Sequence, residues 1–173
     1  DYILFPSDKG VSFSDAPEMK ANEIAEKAIE LVNSGEYGFG LINIANADMV
    51  GHCGIMAPAI RAIETVDAAV GRIIEALSAV GGSALITADH GNAEEMMVFA
   101  KDGESEACTK HSINPVPCIL FDPAYDGSYS LRQPDDEQTI LTQPGLAHLA
   151  GTLFEAMGLP VPDDIYPSLI ERN

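Results

Sequence analysis

The run Ala84-Leu85-Ile86-Thr87-Ala88 carries no charge and then breaks at Asp89-His90-Gly91. This junction constrains the fold more than any other stretch of the chain. An unbroken apolar run of this length suits a strand buried on both faces of a sheet. Open α/β sheets place ligands just beyond the carboxyl ends of such strands, which is where Asp89 and His90 fall. Gly91 lets the chain leave the strand sharply, and the two residues before it set an oxygen donor beside a nitrogen donor. Alone, an Asp-His-Gly tripeptide is weak evidence. Its weight depends on what other segments bring to the same edge.

The flanking pattern alternates strands and helices. Residues 2–5 read as a short strand. Pro17 and Glu18 introduce a helix over 19–32, with Ile24, Ala28, Leu31 and Val32 on one stripe and Gly35 as a left-handed cap. Residues 39–45 read as a second strand, interrupted by Asn43, which is expected to be hydrogen-bonded near the site. The clearest helix follows. Pro58 suits its first turn, and Ile60, Ile63, Val66, Val70, Ile73, Ile74 and Leu77 recur at steps of three and four. Gly81-Gly82 ends it and feeds the strand over 84–88. An acidic loop over 101–107 leads to a further strand at 118–121. Residues 122–143 are polar and rich in turn formers, and Pro144-Gly145 opens an amphipathic helix to about Met157. This rhythm predicts an α/β fold, a mainly parallel sheet covered by helices, as one domain over residues 1–173.

Composition narrows the function. The chain has 27 Asp plus Glu against 9 Lys plus Arg, a net charge of −18, which argues against nucleic-acid or anionic-membrane partners. Arg61, Arg72, Arg132 and Arg172 are scattered, so no arginine cluster stands ready for an anionic substrate. No run is long enough to span a membrane, and the N-terminus lacks the basic start of a signal peptide. Opening on a strand without an initiator Met, the chain reads as a piece of something longer. Cys53, Cys108 and Cys118 show no C-x-x-C spacing, which suits reduced thiols in the cytoplasm.

Of four histidines, His52, His90 and His111 lie in compact polar segments. Asp48 and His52 are four apart, so one helical turn sets both on one face. If the strands before them are parallel, Asp48, His52, Asp89, His90 and His111 reach the same sheet edge. Such a mixed oxygen and nitrogen set suits one or two divalent ions such as Mn2+ or Zn2+. Taken singly, each residue has an ordinary use: a surface pair, a helix cap for Asp89, a backbone-bonded loop histidine. Three such segments at strand ends favour the metal reading. His148, inside the last helix, is expected to be structural. A two-His, two-Cys zinc site from His52, Cys53, Cys108 and His111 is the alternative. No activated nucleophile, G-x-S-x-G or phosphate loop is present.

Asn43-Ile-Ala-Asn-Ala-Asp-Met-Val-Gly-His52, Thr87-Ala-Asp-His-Gly-Asn-Ala-Glu94 and His111-Ser-Ile-Asn-Pro-Val-Pro117 closely resemble three segments of the cofactor-independent (2,3-bisphosphoglycerate-independent) phosphoglycerate mutases. That family belongs to the alkaline phosphatase superfamily. Pro17-Glu-Met19 and Pro167-Ser-Leu-Ile170 are also similar to family features. Asp-His-Gly alone indicates only the superfamily, whereas the other motifs are narrower. The resemblance implies an alkaline-phosphatase-like fold. It implies two divalent metal ions, manganese first, with Zn2+, Co2+ or Mg2+ as alternatives: Asp48, His52 and His111 on one ion, Asp89 and His90 on the other. It further implies interconversion of 3-phosphoglycerate and 2-phosphoglycerate in glycolysis and gluconeogenesis, through a phosphoserine, in a cytoplasmic enzyme that is monomeric when complete. The nucleophilic Ser, a further Asp and the basic phosphoglycerate pocket have no counterpart here, which matches the missing nucleophile. Lys9 lies in a stretch resembling a structural segment. Other phosphatases or phosphopentomutases of the superfamily are the competing enzyme reading.

Overall fold

A 25-residue helix, α3 (Met56–Val80), is the spine of the larger of two compact units, Asp1–Phe121 and Asp122–Asn173. The computed structural model describes residues 1–99, 103, 105–135 and 143–173. Before α3 come α1 (Ala21–Ser34) and the short α2 (Asn46–Gly51). After it follow β1 (Ala84–Thr87), β2 (Met97–Phe99), β3 (Ser105–Ala107) and β4 (Cys118–Phe121). The smaller unit holds β5 (Tyr129–Leu131), α4 (Leu149–Ala156) and β6 (Ile170–Arg172). No helix among the described residues is long and apolar enough to cross a membrane.

The helices follow their local signals. α1 and α3 end where the glycines were expected to cap them, with Gly35 and Gly81 at φ 67° and 73°. Their shared face keeps Ala28, Ile73 and Leu77 of the expected apolar stripes and otherwise differs from them. Ala21, Ala25 and Ala28 of α1 meet Ala69 and Ile73 of α3, with Ile29, Ile44 and Leu77 around them. Small side chains let two helices approach closely, so alanines take the inner face, while Ile60 and Ile63 remain 49% and 45% exposed. A second cluster joins Val50 of α2 to Ala59 and Ala62 of α3 and to Met96, flanked by Phe13 and Met19.

The α/β class holds, but the expected parallel pairing does not. Among the described residues the pairs are antiparallel: β1 with β4, β2 with β3, β5 with β6. β4 follows β1 through a long region carrying β2 and β3, with no α-helix among its described residues, and pairs in the opposite direction. Residues 2–5 and 39–45 form no strand. Tyr2, Leu4 and Leu41 are 89%, 69% and 87% exposed, so these segments have strand-like composition without a partner. The expected acidic loop over 101–107 ends in β3; residues 101, 102 and 104 lie outside the described residues, as do 136–142 of the expected turn-rich segment.

In the smaller unit the expected last helix begins as a 3-10 turn at Leu146–His148 and continues as α4. His148 is buried, as its structural reading requires, and its ring meets Tyr166 edge-on at 5.2 Å. Half-buried Tyr129 donates its hydroxyl to Asp122 Oδ2 at 2.9 Å. Burial and the Asp122 acceptor push this phenol up from 10.0 to about 12. The raised value means that the neutral ring stabilises the fold fully below the unfolded pKa. That contribution is lost as pH rises from about 10 toward about 12. Melting curves across this window are expected to show an alkaline decline that Tyr129→Phe flattens.

Candidate metal centre

α2 is held by its two ends. Buried Asn46 donates its amide to the carbonyls of Pro17 and Glu18, at 2.8 and 2.7 Å, and Val50 is fully buried against α3. Between these anchors Asp48 remains partly open, and His52 caps the helix one turn later. Asn43, expected to be the bonded asparagine here, is exposed; Asn46 fills that role.

Asp48 Oδ1 is the common point of the cluster. It lies 3.1 Å from His52 Nε2, 3.2 Å from His111 Nε2 and 4.0 Å from His90 Nε2, and it accepts the Asn92 amide at 3.0 Å. His52 Nδ1 faces the Thr109 carbonyl at 2.6 Å. A carbonyl only accepts, so Nδ1 carries a proton, and Nε2 is the ring nitrogen that faces Asp48 and His111. The His52 and His111 Nε2 atoms are 3.1 Å apart. The His90 ring stacks on His111, centroids 3.6 Å apart. Asp48, His90 and His111 each offer a ligand atom within 4.8 Å of the others. Asp89 stands at the rim, its side chain 89% exposed and Oδ1 3.6 Å from His90 Nε2.

Four of the five expected residues therefore converge, and the fifth adjoins them. The donor set fits a divalent cation: one carboxylate oxygen and several imidazole nitrogens, with one tautomer set by backbone. Cys53 and Cys108 stand outside the convergent group; Cys53 Sγ points back to the Met49 carbonyl at 3.7 Å.

The sequence reading missed the groups that support these ligands. Asn92 is 4% exposed yet reaches Asp48. Glu94 accepts from the Asn92 backbone N–H at 2.7 Å, from the Ser112 hydroxyl and from the Asn114 amide at 3.1 Å. The Ser112 hydroxyl, foremost, holds the Glu94 carboxyl below its usual value, against the opposing effect of burial. Both residues sit inside the Thr87–Glu94 motif, and only their spacing to Asp89 and His90 pointed to them. Their partners lie 44 and 18 positions away along the chain.

Comparison with known proteins places the chain in context. A family model described as the Metalloenzyme superfamily matches residues 1–161. The chain is 40% identical over 179 aligned positions to a protein of Arabidopsis thaliana named probable 2,3-bisphosphoglycerate-independent phosphoglycerate mutase 2, covering 99% of this chain and 31% of that one. A 2,3-bisphosphoglycerate-independent phosphoglycerate mutase of Thermomicrobium roseum is 42% identical, covering 95% of this chain and 30% of its own length. The fold matches a crystal structure of Leishmania mexicana phosphoglycerate mutase at low cobalt concentration with a TM-score of 0.85 and 33% identity, over 98% of this chain and 31% of that chain. The chain thus spans less than a third of the length of these relatives.

Proposed function

The chain belongs to the Metalloenzyme superfamily, and on that premise we propose that it is the metal-holding portion of a cofactor-independent phosphoglycerate mutase. The observation that carries this reading is the convergence of Asp48, His52, His90 and His111, from three separate segments, on one carboxylate oxygen. The complete enzyme interconverts 3-phosphoglycerate and 2-phosphoglycerate through a phosphoserine, in glycolysis and gluconeogenesis. It acts in the cytoplasm as a monomer, without nucleic-acid or membrane partners. Two divalent ions, manganese in the cell, are assigned to its site.

Asp48, His52 and His111 would hold one ion, and Asp89 and His90 would contribute to the other. The close spacing of the first three supports their grouping. Bound divalent ions would lower the pKa of a serine hydroxyl and offset charge on the transferring phosphoryl group. Within this chain, the Thr109 carbonyl orients the His52 ring, and Asn92 steadies the Asp48 carboxylate. The exposed rim residue Asp89 leaves a side open toward groups from elsewhere. The nucleophilic serine and the basic pocket that retains glycerate belong to the remaining two-thirds of the enzyme. The bare apolar side chains of Tyr2, Leu4 and Leu41 support such a neighbour.

The test uses the purified 173-residue chain. It is expected to bind Mn2+ weakly in calorimetric titration and to leave 3-phosphoglycerate unconverted. Conversion to 2-phosphoglycerate by this chain alone would overturn the division of labour. Absence of any divalent-ion binding would overturn the metal assignment.

A further inference from the structure

Two of the three ligand-bearing segments are tied together by a carboxylate that is not itself among the converging ligands. Glu94 sits in a 3-10 turn, Ala93–Glu95, just after Asp89 and His90. Its Oε2 accepts the Asn92 backbone N–H at 2.7 Å. Its Oε1 accepts the Ser112 hydroxyl and the Asn114 amide, the latter at 3.1 Å. The same two segments meet along the backbone, where Ser112 N–H donates to the Gly91 carbonyl at 2.8 Å. Gly91 leaves the space this requires: a Cβ there would collide with both Glu94 Oε1 and Ser112 Oγ. Asn92, held at its backbone by Glu94, reaches with its side chain to Asp48 Oδ1 at 3.0 Å.

We propose that Glu94 is a positioning residue, a clasp that sets the spacing of His90, His111 and Asp48 within the metal centre. This rests on the metal reading above. The three ligands come from segments more than 20 residues apart, so their spacing is set by whatever ties those segments together. Glu94 spans the loop of His90 on one side and that of His111 on the other. Through Asn92 it also reaches α2. Partners that orient metal ligands typically change metal affinity by about 10- to 100-fold when removed.

A hydrogen-bonding clasp and a merely attractive negative charge predict opposite orders among variants. In Glu94→Gln the side chain keeps its length. Its carbonyl still accepts from Asn92, and its amide can donate to the Ser112 hydroxyl, which can accept as well as donate, so that only the Asn114 contact is lost. Glu94→Asp keeps the charge but is one methylene too short to meet both segments. Glu94→Ala removes both functions.

The experiment is Co2+ titration of the 173-residue chain and these three variants, followed by calorimetry and by the visible absorption of bound Co2+, with circular dichroism of each metal-free form. The clasp predicts that Glu94→Ala and Glu94→Asp lose affinity by about 10- to 100-fold. Their Co2+ bands shift as the ligand geometry changes, and Glu94→Gln retains the wild-type band and most of the affinity. Ser112→Ala, which removes one anchor and leaves Glu94 in place, is expected to fall between wild type and Glu94→Ala. It remains informative if Glu94→Ala fails to fold. Wild-type affinity and spectrum in all variants would overturn the clasp and leave the metal site standing. Retention by Glu94→Asp with loss by Glu94→Gln would overturn it in favour of charge. A wild-type chain that takes up no Co2+ would overturn the metal reading itself.

Discussion

Asp48→Ala is expected to abolish divalent-ion binding at the Asp48, His52 and His111 site, a loss of at least about 100-fold, since even partners that only orient ligands reach that range. Asp48 Oδ1 lies within 4.0 Å of three imidazole Nε2 atoms, and among the described residues no other carboxylate joins that group. Removing it leaves nitrogen donors without the hard, charged oxygen that favours Mn2+. The Asn92 amide loses its acceptor in the same step. Asp48→Asn separates charge from shape. Its carbonyl can still accept from Asn92, so the metal-free fold should be preserved while affinity falls. Calorimetric titration with Mn2+ and Co2+ measures both effects. Undiminished binding by Asp48→Ala would show that the ion, if bound at all, sits elsewhere.

Gly151→Ala is expected to destabilise the smaller unit by about 1–3 kcal/mol or more. In an exposed helix this substitution normally stabilises, by up to about 1 kcal/mol. Here Gly151 is buried in α4, where a Cβ would collide with the Tyr166 carbonyl and lie 3.0 Å from Pro167 C and Ser168 N. All three obstacles are backbone, so no rotamer change relieves them. Nor can that backbone withdraw freely. Leu169 N–H donates to Thr152 Oγ at 2.9 Å, Thr152 donates in turn to the His148 carbonyl at 2.8 Å, and the chain continues into β6, paired with β5. Gly71→Ala in α3, where the added methyl meets nothing within 4 Å, supplies the opposite sign as a control. The chain has no Trp, so urea unfolding can be followed by tyrosine fluorescence, with Tyr125, Tyr129 and Tyr166 reporting on the smaller unit. Equal effects at both positions would refute the steric argument.

Local chemistry alone determined a good part of this protein. Glycine caps and apolar periodicity marked α1 and α3, the uncharged runs marked β1 and β4, and Asp48, His52, Asp89, His90 and His111 were all legible as candidate ligands. These signals act over a few residues, through backbone conformation and side-chain type. Residues 2–5 and 39–45 illustrate their limit: strand-like composition does not supply a strand's partner. β2, β3, β5 and β6 illustrate the converse, since each is three residues long and defined by the strand beside it. The direction of pairing, the burial of Ala59, Ala62 and Ala69 of α3 in place of Ile60 and Ile63, and the tie from Glu94 to Ser112 were likewise decided only by tertiary contact. Each depends on groups brought together from distant parts of the chain. The Asp-His-Gly junction therefore announces its donors in sequence, but the oxygen on which they converge belongs to Asp48, and only folding brings it there.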